Sequence, residues 1–154
     1  MYDWRTGRSC LYKNHVHLVF TTKYRRKVFT SDMLKHLHSI LFETCEQMDC
    51  ELLEFSGEDN HVHMLVAVHP KVAVANLVGK LKGKSSYLVR RMFQEHVKTM
   101  LWGHQFWSPS YCAVSCGGAS LDIVKQYIEN QNAPPSEKAL KAARAAHKRS
   151  QRLA

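Results

Sequence analysis

Two His-Val-His triplets, His15-Val16-His17 and His61-Val62-His63, and a Tyr127/Gln131 pair carry the most chemistry in their spacing. Alternate side chains of a β-strand share a face, so each triplet sets two imidazoles on one side, within reach of a single metal ion. Ten histidines make chance triplets easy, and an isolated one is more often a half-exposed strand face, so context decides. His61 opens its strand directly after an acidic, flexible turn over 57–60, where a site stays open to a ligand; His15 lies nearer the middle of a strand that runs into basic residues. The metal is therefore expected at His61 and His63. Tyr127 and Gln131 stand four residues apart, on one face of an expected helix. Gln131 offers a neutral amide oxygen, and Tyr127 lies about one turn from it. Two nitrogens and one oxygen leave coordination positions suited to phosphate oxygens and to Mg²⁺ or Mn²⁺.

That set implies a reaction. A phenol with a pKa of about 10 is a poor nucleophile at neutral pH. A cation that polarises the scissile phosphate neutralises the charge developing on it and lowers the barrier. Attack by the Tyr127 oxygen then gives a covalent phosphotyrosine and releases a DNA hydroxyl. The linkage conserves the phosphodiester energy, which suits strand transfer without ATP better than hydrolysis.

The rest of the chain agrees with a nucleic-acid enzyme. Its 154 residues suit one compact domain with a tail. Lys and Arg number 22 against 13 for Asp and Glu, a net charge of +9 that favours a polyanionic partner. No apolar run is long enough to span a membrane, and the first residues lack the apolar stretch of a secretory signal, so a cytoplasmic address is expected. The five cysteines are odd in number and form no Cys-x-x-Cys pair, so free thiols in a reducing compartment are expected rather than disulfides or a Cys-rich zinc site.

The elements that must position these residues follow from periodicity. A first strand is expected over 10–24, with its β-branched and aromatic centre at 17–22. Thr30 or Ser31 caps a helix whose apolar residues Met33, Leu34, Leu37, Ile40, Leu41, Cys45 and Met48 keep helical spacing. Strands are expected over 52–56 and 61–69, the second ended by Pro70. One long helix is expected over 74–96 in spite of Gly79 and Gly83, each costing about 1 kcal/mol against Ala and inviting a reason such as close DNA approach. A last strand is expected over 106–115. Gly117-Gly118 is a break, and Ser120 caps a helix to about 130 that carries Tyr127. The order is that of an α+β, ferredoxin-like βαββαβ fold: an antiparallel sheet with two helices on one face, plus the C-terminal tyrosine helix. Residues 1–132 form the domain, with a core at about 10–116 and the nucleophile helix at about 119–131. Residues 133–154 form a basic, exposed tail with few large apolar residues.

The chain resembles the single-tyrosine HUH transposases of small bacterial insertion sequences, the insertion-sequence two-hundred family. HUH denotes His, a bulky apolar residue, His. Five ordered blocks carry the resemblance: His17-Leu18-Val19-Phe20-Thr21-Thr22-Lys23-Tyr24-Arg25-Arg26-Lys27-Val28; Asn60-His61-Val62-His63-Met64-Leu65-Val66; Lys80-Leu81-Lys82-Gly83-Lys84-Ser85-Ser86; Phe106-Trp107-Ser108-Pro109-Ser110-Tyr111; and Tyr127-Ile128-Glu129-Asn130-Gln131. The resemblance implies a homodimer joined through sheet edges, with Tyr127 of one subunit serving His61 and His63 of the other and Gly117-Gly118 as the hinge. It implies Gln131 as third metal ligand. It implies recognition of hairpins near element ends, excision as a single-stranded circle and insertion into single-stranded DNA. Lys23, Arg25, Arg26, Lys80, Lys82 and Lys84 are candidate DNA contacts on charge. His15 departs from the family, which usually shows one histidine here, at His17.

Rival readings are another HUH endonuclease and a non-catalytic single-strand binder on the same fold. Relaxases place the tyrosine before the HUH, and replication initiators usually carry added domains. A binder stacks bases on sheet aromatics and needs neither Tyr127 nor Gln131.

Overall fold

The structure is a computed structural model that describes residues 4–115. The expected hinge Gly117-Gly118, the helix with Tyr127 and Gln131, and the 133–154 tail lie outside those residues. In chain order the elements are β1 (Arg5–Thr6), β2 (Leu11–Tyr12), β3 (His15–Thr21), a 3₁₀ turn (Lys23–Arg25), α1 (Ser31–Gln47), β4 (Glu51–Gly57), β5 (His61–Ala67), α2 (Val74–Met92), α3 (Gln94–Met100) and β6 (Cys112–Ser115). The main sheet is antiparallel with order β4-β5-β3-β6, the ferredoxin-like arrangement in which the outer strands close βαβ units around the central pair.

Thr30 is the N-cap of α1: its Oγ1 accepts from the Met33 amide at 3.2 Å. Met33, Leu37, Ile40, Leu41 and Cys45 are buried along one stripe of that helix. The helix gives way to Asp49, whose φ of 58° is the left-handed conformation that Asp tolerates. On α2, Leu77, Val78, Leu81, Ser85 and Val89 are the buried face. Both stripes join Val16, Leu18 and Phe20 of β3 and Val62, Met64 and Val66 of β5 in one hydrophobic core. The two helices therefore lie on one side of the sheet. Strand periodicity sends His17, Val19 and Thr21 of β3, and His61, His63 and Leu65 of β5, to the other side.

Three expected elements differ from those observed. The first strand is two pieces: β2 pairs with β1 as a small ribbon, and β3 begins only after Asn14, whose carbonyl accepts from the Val68 amide at 2.8 Å. The long helix breaks at Phe93 (φ −123°, ψ 38°). A straight continuation would carry the stripe of Val89 away from the sheet, whereas the turn lets Val97 and Leu101 reach the core. The final strand shrinks to Cys112–Ser115, and Trp107 keeps only an isolated bridge to Thr22. Phe106 and Trp107 both pack into the core cluster, and Pro109 has no amide to give a ladder.

Lys82 fastens the segment left outside the strand. Its Nζ donates to the carbonyls of Ser108 (2.7 Å) and Ser110 (2.9 Å) and lies 5.3 Å from the Phe20 ring centroid and 5.5 Å from that of Tyr111. Burial pushes this ammonium down to about 8, against the carbonyls and ring faces that favour its charged form. A Cβ at Gly79 or Gly83 would meet nothing within 4 Å, so packing demands neither glycine. Gly57 is different: a Cβ there would lie 2.6 Å from Leu34 Cδ2, at the entrance to the β4–β5 turn. Cys10, Cys45, Cys50 and Cys112 are free thiols, and burial pushes Cys45 up to about 12 and Cys112 to about 11, which keeps both protonated and inert.

Candidate active site

The β4–β5 turn delivers His61 and His63. The Glu58 amide donates to the His61 carbonyl at 2.9 Å, closing the turn, and the Thr22 amide donates to the Asn60 carbonyl at 2.9 Å, tying it to the end of β3. In register, Thr21 faces His61 and Val19 faces His63. The two imidazole centroids are 5.4 Å apart with planes at 40°. Both rings are half-buried on the sheet face away from α1 and α2.

Asn60 sets the tautomer of His61. Its side-chain oxygen lies 2.7 Å from His61 Nδ1. An amide oxygen carries no proton, so Nδ1–H donates and Nε2 keeps its lone pair for a ligand. Burial holds both histidines below their ordinary pKa; the Glu58 and Asp59 carboxylates partly offset this at His61. At His63 the nearby His61 and His17 lower the pKa further, while Glu58 raises it. Both rings are thus neutral at pH 7, the form that binds metal.

His17 stands on the same face, opposite Leu65 and diagonal to His63. His15 is buried at the far end of the strand, opposite Ala67, where burial lowers its pKa. The triplet chosen by context is therefore the one at the open turn.

Among the described residues no three or more His, Cys, Asp and Glu side chains converge as a metal site. His61 and His63 fit two positions of an N/O set, with neutral imidazoles and one nitrogen pre-aimed; Gln131 and Tyr127 lie outside the described residues. Asn60 belongs to the polar turn before β5, and its contact with His61 Nδ1 is not announced by any spacing in the sequence. Asn60→Ala is expected to weaken Mn²⁺ affinity about 10- to 100-fold, as loss of such outer partners generally does. Calorimetric titration checks this, and wild-type affinity in that variant would remove Asn60 from the site.

The candidate DNA contacts divide. Lys23, Arg25 and Arg26 follow β3 at the end of the sheet that holds His61. There Tyr24 (φ 57°) is exposed, Lys23 lies 5.0 Å from its ring centroid, and Arg26 lies 5.0 Å from that of exposed Trp102. Lys80, Lys82 and Lys84 lie on α2, across the sheet. Lys80 is exposed, Lys84 donates to the Gln47 side chain, and Lys82 is spent on the 108–110 carbonyls.

The fold is thus an antiparallel ferredoxin-like sheet whose paired-histidine strand faces away from its helices. The family model described as "Transposase IS200 like" matches residues 10–131. The chain is 32% identical over 132 residues to the ISDra2 transposase TnpA of Deinococcus radiodurans, covering 84% of this chain and 92% of that protein. It is 34% identical over 126 residues to the transposase for insertion sequence element IS200 of Salmonella typhimurium, covering 82% and 79%. The crystal structure of a transposase from Deinococcus radiodurans superposes with a TM-score of 0.73 at 31% identity, over 82% of this chain and 97% of that one. A tyrosine transposase bound to a REP hairpin shares the fold at 11% identity, with a TM-score of 0.53 over 86% and 74% of the two chains. The chain belongs to the IS200-like transposase family, and it is a DNA transposase. Among the described residues no helix is long and apolar enough to cross a membrane.

Proposed function

We propose that this transposase cleaves and rejoins single-stranded DNA at the ends of its insertion sequence through a covalent 5′-phosphotyrosine on Tyr127. The observation that carries the reading is the His61/His63 pair, held on an open sheet face with His61 Nε2 left available by Asn60. His61, His63 and Gln131 are the residues that hold the metal, Mg²⁺ or Mn²⁺. When bound, the cation neutralises charge developing on the scissile phosphate. The Tyr127 oxygen forms the new P–O bond, the bond to the 3′ oxygen breaks, and the upstream strand leaves with a 3′-hydroxyl. Attack of a 3′-hydroxyl from a second strand on the phosphotyrosine restores the phenol and joins the strands. Family membership supports a homodimer with Tyr127 acting across subunits through the Gly117-Gly118 hinge, and a substrate with hairpins near the element ends.

The test is incubation of the full chain with 3′-labelled single-stranded element ends and Mg²⁺. The expected product is labelled protein whose modified peptide contains Tyr127, with an unlabelled fragment ending in a 3′-hydroxyl. Cleavage without labelled protein would mean that water attacks. Binding without cleavage would favour the non-catalytic single-strand binder.

A further inference from the structure

Tyr24 stands in a backbone conformation that suits a glycine. Its φ of 57° and ψ of 18° are left-handed, and Arg25 beside it has a φ of 53°. Such a conformation strains an aromatic residue where Gly, Asn or Asp is at ease. Hydrogen bonds hold the turn there. The Arg25 amide donates to the Thr22 carbonyl at 3.0 Å, the Thr22 hydroxyl donates to the Arg26 carbonyl at 2.7 Å, and the Lys23 amide donates to the Phe106 carbonyl at 2.9 Å. Burial does not offset the strain, because Tyr24 is 76% exposed. The fold gains nothing from a phenol at this position, so its use lies in what the ring presents to solvent.

Trp102 is its counterpart. It is 77% exposed, although Leu101 before it is buried and Gly103 after it has its carbonyl held by Arg90 at 3.1 Å. The indole is thus displayed from a backbone fixed on both sides. The Arg26 guanidinium lies 5.0 Å from its ring centroid, and the Lys23 ammonium lies 5.0 Å from that of Tyr24. Each ring is backed by one cation and keeps most of its surface in water. The bond from Lys23 to Phe106 joins the two loops, and the Thr22 amide donates to the carbonyl of Asn60, the residue that orients His61. An open ring face beside a cation suits a nucleobase on the ring with its phosphate at the charge. Only an unpaired base can use it, because bases inside a duplex already stack on one another.

We infer that Tyr24 and Trp102 form a platform on which unpaired bases next to the scissile phosphate stack, and that this platform, rather than charge, makes the site select single-stranded over duplex DNA. The inference rests on the single-strand cleavage reading and adds which side chains hold the bases.

The experiment uses the full chain, without metal, and an oligonucleotide spanning the cleavage site, offered single-stranded or paired with its complement. A fluorescent purine analogue, whose emission falls when it stacks, replaces each base flanking the cleavage site in turn. Affinities are measured across a salt series. The wild type is expected to quench the analogue in the single strand. Tyr24→Gly/Trp102→Leu is expected to lose the quenching and to bind the single strand about a hundredfold more weakly, roughly tenfold for each base unstacked. Its log Kd–log salt slope stays that of the wild type, because no charge is removed. Its duplex affinity is unchanged, so the preference for single strands shrinks by the same factor. Tyr24→Phe/Trp102→Tyr, which keeps both rings, retains affinity and quenching. Tyr24→Gly alone is expected not to lower the melting temperature, since relief of the left-handed strain offsets the added freedom of the unfolded chain, whereas a merely structural Tyr24 would lose stability and binding together. Wild-type affinity in the ringless variant overturns the proposal, as does equal weakening for single strand and duplex, or a slope shallower by about 0.7 or more, the share of one phosphate contact. A wild-type chain that binds and quenches but forms no phosphotyrosine when Mg²⁺ is added refutes the catalytic reading and leaves the platform standing.

Discussion

Replacing His61 and His63 together by alanine is expected to lower metal-dependent formation of the phosphotyrosine by about a thousandfold, while affinity for element ends in EDTA stays within about twofold. Stabilisation of developing phosphate charge by a metal is worth several kcal/mol. With tenfold in rate for roughly 1.4 kcal/mol, about 4 kcal/mol gives a factor near a thousand. Either single substitution is expected to cost nearly as much as both, because residues acting through one ion do not contribute additively. Folding is a small concern: both rings lie on the sheet face away from the core cluster, so their truncation opens no cavity among Val62, Met64 and Val66. Single-turnover adduct formation with saturating DNA across a Mn²⁺ titration measures the effect. A double variant that keeps a metal-dependent rate within tenfold of wild type would place the metal elsewhere.

The parts of the fold visible in the sequence were those governed by local period. The alternation in His61-Val62-His63-Met64 and the helical spacing from Met33 to Cys45 each point at one face, and those faces meet in the structure. What escaped was decided by contacts between distant residues. The β1–β2 ribbon is two residues long on each side and lies where Arg5 pairs with Glu51 at the start of β4, which no local pattern announces. The turn at Phe93 exists because Val97 must reach the core, a demand of the sheet rather than of the helix. At the site the histidine spacing was legible because strand geometry alone puts both rings on one side. The role of Asn60 was not: an Asn in a turn reads as turn chemistry, and only the 2.7 Å contact to His61 Nδ1 makes it part of the site. Lys82 misled for a related reason. Charge in a basic stretch reads as surface, but two carbonyls and two rings hold this one half inside the fold.

Trp107→Ala is expected to destabilise the fold by about 3–5 kcal/mol, the cost usual for removing a buried large aromatic. Trp107 is buried against Phe20, Phe29 and Phe106, with ring centroids 5.6, 5.5 and 5.0 Å away. Its Nε1 donates to the buried Ser85 hydroxyl at 2.9 Å, pinning the segment before β6 to α2. At roughly 2–4 °C per kcal/mol for a chain of this size, the melting temperature should drop by about 10 °C. Trp107→Phe separates packing from hydrogen bonding. It retains most of the ring and removes the donor, and Ser85 Oγ still donates to the Lys82 carbonyl, so a loss of about 1 kcal/mol is expected. The consequence reaches the site. Trp107 bridges Thr22, the Ser108 amide donates to the Thr21 carbonyl, and the Thr22 amide donates to the Asn60 carbonyl. Loosening the indole therefore frees the turn that orients His61, so Trp107→Ala should weaken Mn²⁺ binding below its melting temperature, although the indole lies on the opposite side of the sheet from both imidazoles. A melt lowered by 10 °C with unchanged metal affinity would show that Thr22 and Asn60 hold His61 without help from the core.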